Sequence, residues 1–424
     1  MNICVNKLEK GLSGEISIPA DKSISHRAVI LASLANGKST VKNFSKGQDP
    51  LSSLKICQSL GVEAEFQNDN LIINSTGSFK VPKSFLDCGN SGTTMRFMAG
   101  ILAGQNFDSV LVGDESLSKR PMKRIIEPLS MMGATIESNN FKAPLKIYGK
   151  KLHGINYKSK LASAQVKSCI LLAGLNCKEK TIYAEPYISR DHTERMLKYM
   201  GANISVEGNS VSVEKSVLEP KNIKICGDIS SAAFFIAAGL IVPKSKIILK
   251  NVGLNPTRTG IIEVIEKMGG KISILDKKEI SGEDVGDIQI EYSNLKGCTI
   301  EKEMIPKLID ELPVIAVLST QAEGTTIIKD AQDLRNKESD RISAIVNELK
   351  KIGANIEETP DGFIINGKTN LKGDCSVETY HDHRLAMSLY VAGLICEKPI
   401  VIHNFEWVKI SFPEFEKLFS NIIL

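Results

Sequence analysis

The sequence predicts an α/β protein built from six copies of one supersecondary unit, divided into two lobes of three. Two observations carry this. A glycine-centred phrase recurs along the 424-residue chain, as "LGVEAEF", "MGATIES", "MGANISV", "MGGKISI" and "IGANIEE". Its glycines are Gly61, Gly133, Gly201, Gly269 and Gly353, separated by 72, 68, 68 and 84 residues. Each copy also follows an amphipathic helical pattern and precedes an alternating one. Five near-registered copies with the same surroundings are the mark of a repeat architecture.

The elements follow in order. "NICVNKLEKGLSGEISIPA" (2–20) reads as a strand pair with no helix before it. "DKSISHRAVILASLANG" (21–37) starts charged and turns apolar, a buried helix with Ser23 or Ser25 as its N-cap. "DPLSSLKICQSL" (49–60) is the first amphipathic helix. Gly61 stops it as a C-cap, and the residues beyond alternate and turn back as a hairpin. The same reading covers "KRIIEPLSMM" (123–132), "HTERMLKYM" (192–200), "TGIIEVIEKM" (259–268) and "ISAIVNELKKI" (342–352). The longest apolar run, "AAFFIAAGLIV" (232–242), is too short to span a bilayer and reads as a core helix. "SFPEFEKLFSNII" (411–423) is a helix with no hairpin after it.

The two chain ends are therefore complementary parts of a sixth unit, and the first residues should pack with the last. Three units per lobe place the chain crossings near Pro19–Ala20 and Cys226–Gly227. One lobe is then 20–226 and the other 1–19 plus 227–424. Two lobes joined by two strands imply a cleft and a hinge, where ligands bind.

Bulk properties exclude several classes. Apolar residues at 42% and charged residues at 24% are ordinary for a globular chain. A net charge of +4 is too small for a general nucleic-acid binder, so any cationic function must be local. Nine cysteines without a C-x-x-C pair point to reduced thiols in a cytosol. "MNICVNKLEKGLSGEISI" is not a signal peptide, because charges interrupt every apolar run.

The segments between the repeats carry the chemistry. Lys22, Ser23 and Arg27 crowd the mouth of the first buried helix, where backbone N–H groups and cations suit a phosphate or carboxylate. "LDCGNSGTTMRF" (86–97) places Asn90, Ser91, Gly92 and Thr93 in a small-residue turn before a helix. It is not a P-loop, since no lysine follows the glycine. In "GDESLSKRPMKRI" (113–125), Arg120 precedes Pro121 at a loop–helix junction. "SAQVKSCILLAGL" opens with Ser163, Gln165 and Lys167, and "SRDHTERML" with Ser189, Arg190, Asp191 and His192. Capping suffices for Ser163 and Ser189 but leaves Gln165, Lys167 and Arg190 unexplained.

The C-terminal half adds Asp310 and Glu311 before a buried run, then Arg335, Lys337, Glu338, Asp340 and Arg341, and last His381, Asp382, His383 and Arg384. Carboxylates at the edge of apolar helices suit general acid–base work. Structural ion pairs are the expected role of Asp340 and Asp382. His381 and His383 lack further metal ligands, and Arg384 beside them would repel a cation.

Taken together, "DKSISHR", "GNSGTTMR", "RPM", "SAQVKS", "SRDHTERM", "IDELP", "KESDRI" and "DHRLAM" resemble the EPSP synthase (3-phosphoshikimate 1-carboxyvinyltransferase) family, in family order from about Lys22 to Pro413. "SAQVKS" and "SRDHTE" resemble the second of its two bacterial classes. The resemblance implies a two-lobed inside-out α/β barrel, each lobe made of three βαβαββ repeats with helices inside and sheets outside, as in enolpyruvyl transferases. It implies transfer of the enolpyruvyl group of phosphoenolpyruvate to the 5-hydroxyl of shikimate 3-phosphate, releasing phosphate by addition and elimination. No metal or organic cofactor is implied. The implied partners are those two small molecules, with no nucleic acid and no membrane. The resemblance also implies a cytoplasmic monomer of aromatic amino-acid biosynthesis and a target of glyphosate.

By the same resemblance, Lys22, Ser23, Arg27, Ser163, Gln165, Asp310 and Lys337 hold shikimate 3-phosphate, with Ser189 and Arg190 further candidates on that side. Lys22, Gly92, Arg120, Gln165, Arg341 and Arg384 hold phosphoenolpyruvate, with Asn90 shaping that pocket. Asp310 takes the proton of the 5-hydroxyl, and Glu338, helped by Lys22, exchanges protons with the methylene carbon. Four positions depart from the better-known pattern: Ala164, Asp333, Phe97 and Lys409, the last lying one position from where a phosphoenolpyruvate-binding lysine would align. The rivals are UDP-N-acetylglucosamine enolpyruvyl transferase and a non-catalytic or RNA-end-binding repeat protein. The first uses a cysteine where this chain has Glu115, and Lys-Asn where it has Lys22-Ser23. The second has no use for Asp310 and Glu338.

Overall fold

The computed structural model describes residues 1–423. The chain forms two compact units. Unit I comprises Ala20–Ile225 and Glu279–Glu283; unit II comprises Met1–Pro19, Cys226–Lys278 and Asp284–Leu424.

Helices of two kinds alternate along the chain. In unit I they are α1 (Lys22–Leu34), α2 (Gln48–Ser59), α3 (Gly92–Ala103), α4 (Lys123–Met131), α5 (Ala164–Gly174) and α6 (His192–Tyr199). In unit II they are α7 (Ile229–Ile241), α8 (Gly260–Lys267), α9 (Leu312–Thr320), α10 (Arg341–Lys351), α11 (His383–Gly393) and α12 (Phe415–Ser420). The odd-numbered helices are buried almost throughout. α9 has no solvent-facing residue, and α7 exposes only part of Ser231. A helix apolar on every side has no face to offer water, so it must be enclosed. The even-numbered helices bury one face only. The apolar run expected as a core helix is α7.

Each repeat glycine ends an even-numbered helix with a positive φ, from +74° at Gly269 to +99° at Gly353. The bonds are those of a Schellman motif. Gly61 N–H donates to Gln58 O at 2.9 Å and Val62 N–H to Cys57 O at 3.1 Å, with equivalent pairs after α4, α6, α8 and α10. Only glycine adopts this conformation without a steric cost, which is why the phrase recurs.

Each repeat adds a sheet in which one parallel strand joins an antiparallel set, of three strands in five of the sheets and of two in the last. In the second repeat, Leu86–Asp87 lies parallel to Ser109–Val112, which pairs antiparallel with Lys142–Tyr148, and that strand with Thr135–Asn139. Buried and exposed residues alternate along Lys142–Tyr148, so one sheet face covers the helices and the other meets solvent. The parallel strand of the first sheet of each unit comes from the segment that leads to the other unit. Asn222–Lys224 pairs with Asn36–Lys42, Ile223 opposite Val41. Ser13–Ser17 pairs with Lys246–Gly253, Ile16 opposite Leu249.

The chain ends do pack together. Ile3–Val5 pairs antiparallel with Ile400–His403, Ile3 opposite Ile402, and Leu12 bridges to Ile423. The N-terminal strands, however, do not pair with each other as expected: the first completes the last sheet and the second completes the fourth. Pairing them together would leave both of those sheet edges open. α12 is anchored by aromatic packing in the unit II core, where Phe235 and Phe419 stack at 4.2 Å and Phe415 meets Phe234 edge-on at 6.0 Å. Full burial of Phe415 and Phe419 is worth roughly 1.5–3 kcal/mol each.

Candidate active site

The polar residues singled out in the sequence gather, within each unit, at the N-termini of helices. These ends present unpaired N–H groups and the positive end of the helix dipole. The cap of α1 is Asp21 rather than Ser23 or Ser25. Its carboxylate accepts from Ile24 N–H at 2.8 Å, and helix begins at Lys22, so both serines lie inside it. The Ser23 hydroxyl is thus not spent on capping.

In unit I, Arg27 is buried. Its Nε donates to Thr193 Oγ1 at 2.7 Å, Nη2 to Ser168 Oγ at 3.0 Å and Nη1 to Ser23 O at 2.9 Å, while its guanidinium lies 4.8 Å over the Phe97 ring. Burial lowers its pKa to about 10, with Arg190 adding to the effect and Glu194 and Asp21 opposing it. It stays a cation at neutral pH. Gln165, on the first turn of α5, donates to Thr93 Oγ1 at 2.9 Å and accepts from Arg96 Nη1. The N-termini of α3 and α5 therefore meet. A methyl at Gly92 would lie 2.7 Å from Arg96 Nη1 and 3.5 Å from Arg120 Nη1, so the glycine keeps room beside two guanidiniums. Arg120 Nη2 donates to Asn90 Oδ1 at 2.8 Å, and Asn90 Nδ2 to Asp114 Oδ2 at 2.7 Å. Lys22 Nζ sits 3.1 Å from Asp49 Oδ2.

Ser163 occupies the cap position of α5 without a side-chain capping bond. Ser189 is buried, its hydroxyl committed to Glu185. Arg190 is half-buried in the same loop. His26 hydrogen-bonds with Ser53 Oγ at 2.8 Å, Ser53 with Thr94 at 2.8 Å, and Thr94 with Ser91 at 2.8 Å, tying α1, α2 and α3 together.

In unit II, the side chains of Asp310, Lys337, Glu338, Arg341 and Arg384 come together. Lys337 Nζ and Arg341 Nη1 lie 3.4 Å and 3.3 Å from Asp310 Oδ1, and Arg384 Nη2 lies 3.9 Å from Oδ2. Arg341 Nη2 donates to Glu338 Oε2 at 2.6 Å and Nε to Asp382 Oδ2 at 2.7 Å. Burial alone would weaken the hold of Arg341 on its proton. Asp382, Glu338 and Asp310 reverse this and hold its pKa above the ordinary value. Arg341 in turn outweighs burial at Asp382 and keeps that carboxyl below the usual carboxylate range. Asp340 caps α10 and pairs with Arg335 at 2.8 Å, and Asp382 caps α11, so both are structural as expected. Arg384 is oriented by Asp310 O at 3.1 Å. Lys409 is exposed in a 3₁₀ turn over Phe405–Ile410.

Sequence reasoning did not single out Arg96, Ser168 or Thr193. An arginine four residues after Gly92 in an otherwise apolar helix was the available signal for the first. The two hydroxyls carried none, since they matter only through Arg27.

Fold and site define an α/β repeat protein that gathers guanidiniums and carboxylates at helix N-termini within each unit. The EPSP synthase (3-phosphoshikimate 1-carboxyvinyltransferase) family model matches residues 7–419. The 3-phosphoshikimate 1-carboxyvinyltransferase of Petrotoga mobilis is 50% identical, covering 97% of this chain and 98% of its own; that of Bacillus subtilis is 51% identical, covering 95% and 96%. A solved EPSP synthase from Acinetobacter baumannii superposes with a TM-score of 0.90 at 41% identity, over 100% of this chain and 98% of the other. The enolpyruvyl transferase NikO from Streptomyces tendae shares the fold, with a TM-score of 0.81 at 14% identity over 99% and 97%. The chain belongs to the EPSP synthase (3-phosphoshikimate 1-carboxyvinyltransferase) family. It is an enzyme of that transferase class and not a non-catalytic repeat scaffold.

Proposed function

We propose that the chain moves the enolpyruvyl group of phosphoenolpyruvate onto the 5-hydroxyl of shikimate 3-phosphate and releases inorganic phosphate. One observation favours this above all: Asp310 and Glu338, a base and an acid for the two proton transfers, share the Arg341 guanidinium at 3.3 and 2.6 Å. Addition needs a proton removed from the acceptor hydroxyl and another delivered to the methylene carbon. Elimination needs the second taken back. Asp310 entering as the carboxylate and Glu338 entering as the carboxylic acid supply both, and the proton gained by one matches the proton lost by the other, so the net charge of the cluster is unchanged.

The cations answer a second need. Each substrate carries a phosphate and a carboxylate. Two unit charges ~4 Å apart at an effective dielectric of ~20 repel by about 4 kcal/mol. Lys22, Ser23, Arg27, Ser163, Gln165, Arg190, Asp310 and Lys337 would hold shikimate 3-phosphate. Ser189 would act through its loop. Lys22, Asn90, Gly92, Arg120, Gln165, Arg341 and Arg384 would hold phosphoenolpyruvate, the arginines gripping carboxylate and phosphate in bidentate fashion. Asp310 would accept the hydroxyl proton, and Glu338, with Lys22, would serve the methylene carbon. On the resemblance alone we further propose a monomer acting in the cytoplasm.

Acceptor choice is the test. Phosphorus NMR of the protein with phosphoenolpyruvate should show inorganic phosphate appearing with shikimate 3-phosphate as acceptor and not with UDP-N-acetylglucosamine. Turnover with the nucleotide sugar alone would overturn the proposal.

A further inference from the structure

Lys167 lies on the first turns of α5, yet it points away from solvent: its side chain is 3% exposed. Its ammonium is held at 2.8 Å by Glu185 Oε1, at 2.7 Å by Glu194 Oε1 and at 3.0 Å by Ser189 O. Both glutamates are also buried. Burial of a lone ammonium would cost several kcal/mol, and three acceptors around it offset that cost. The two carboxylates outweigh burial and keep its pKa above the ordinary value. Among the buried residues of α5, Lys167 alone is charged.

The two carboxylates lead to different parts of one half-site. Glu185 accepts from Ser189 N–H at 2.8 Å and from the Ser189 hydroxyl on both oxygens, at 2.9 and 2.7 Å. It thereby closes the loop 185–190, whose last residue is Arg190. Glu194 stands on the first turn of α6 beside Thr193, and Thr193 Oγ1 accepts from Arg27 Nε at 2.7 Å. Ser168, the residue after Lys167, also accepts a hydrogen bond from Arg27 Nη2 and hydrogen-bonds with Thr193 at 2.6 Å. One buried ammonium therefore pins both a loop, which carries Arg190, and a helix end, whose Thr193 holds Arg27 of α1.

We propose that Lys167 is a positioning residue for shikimate 3-phosphate: through Glu185 it fixes the loop carrying Arg190, and through Glu194 and Thr193 it fixes the guanidinium of Arg27. This rests on the reading of Arg27 and Arg190 as shikimate 3-phosphate ligands given above. Of the phosphoenolpyruvate residues of the same unit, Arg120 donates to Asn90, Lys22 pairs with Asp49, and Gln165 is held by Thr93 and Arg96 of α3, none of them through Glu185 or Glu194, so the effect is selective between the substrates.

The test is Lys167→Met/Glu194→Gln, which keeps the side-chain volumes and the net charge of the cluster. Its KM for shikimate 3-phosphate rises about tenfold, while its KM for phosphoenolpyruvate stays within about twofold. Hydrogen exchange of the 185–190 amides accelerates, and that of the α3 amides does not. Glu185→Gln, which retains Lys167, is the second variant and shows the same selective rise on a smaller scale. A shikimate 3-phosphate KM unchanged in folded variants, or both KM values rising in parallel, overturns the proposal. Calorimetric titration of the wild type with shikimate 3-phosphate separates the two levels. Absence of binding there rejects the proposed function itself, whereas binding by wild type and variants alike rejects only the role of Lys167.

Discussion

Asp382→Asn removes one charge from the unit II cluster without changing its volume. Asp382 is fully buried, and it accepts from Arg341 Nε at 2.7 Å, Arg341 Nη2 at 3.2 Å and Ser339 Oγ at 3.1 Å. Breaking a buried ion pair from one side costs about 3–5 kcal/mol, because the other charge stays buried without its partner. Arg341 keeps Glu338 and Asp310, so the low end of that range, about 3 kcal/mol, applies here. In a domain of about 200 residues this lowers Tm by about 6–12 °C. Scanning calorimetry reads it directly. The same substitution frees Arg341 to rotate. The KM for phosphoenolpyruvate should therefore rise about tenfold, the equivalent of one charge-assisted hydrogen bond at about 1.5 kcal/mol. A variant that melts within about 2 °C of the wild type would refute the reasoning, since Glu338 and Asp310 would then suffice to neutralise Arg341.

Lys22→Ala and Asp310→Ala should each lower phosphate release by about 100-fold or more, in line with loss of a group acting in the transition state. The partly exposed Lys22–Asp49 pair is worth at most about 1 kcal/mol, so Lys22→Ala should melt within about 4 °C of the wild type. Unfolding of that variant in circular dichroism would mark Lys22 as structural. Gly92→Ala places a methyl 2.7 Å from Arg96 Nη1, displacing it and its partner Gln165. Steady-state kinetics should show the phosphoenolpyruvate KM rising more than the shikimate 3-phosphate KM, and equal KM values to wild type would contradict the geometry. His26 is held neutral, its pKa lowered by burial to about 3. The unfolded chain takes up a proton below pH ~6.5 that the folded protein refuses, so stability falls as pH drops through that window. Urea unfolding should lose about 2 kcal/mol between pH 6.5 and pH 5 from this residue, and His26→Gln should remove that part of the slope.

The repeat was legible because one constraint recurs. The chain must leave α2, α4, α6, α8 and α10 through a left-handed turn, and only glycine does so at no cost, which put Gly61, Gly133, Gly201, Gly269 and Gly353 in register. The core helices were legible from composition, α7 most plainly. Strand partners were not. Asn222–Lys224 is three residues long with one buried side chain, and its parallel pairing with Asn36–Lys42 rests on backbone bonds that leave no trace in side-chain pattern. Capping also misled, because serine and aspartate both cap well and Asp21 lies one residue before the helix. Among the site residues, Asp310, Glu338, Arg341 and Arg384 stood out as charges at the mouths of helices, apolar ones for Asp310 and Arg384. The hydroxyl of Ser189 looked equally available in the sequence, but Glu185, four residues earlier, occupies it. Lys167 could not be interpreted at all until Glu185 and Glu194 were seen around it.

The central claim is that these cations and carboxylates serve one transfer between two anionic substrates. Inorganic phosphate release from phosphoenolpyruvate, followed with each substrate alone and then with both, tests it most directly. Release should be undetectable with either alone, appear with both, and stop on substitution of either Lys22 or Asp310. Phosphate released from phosphoenolpyruvate without shikimate 3-phosphate, or undiminished release from the Asp310→Ala protein, would contradict it.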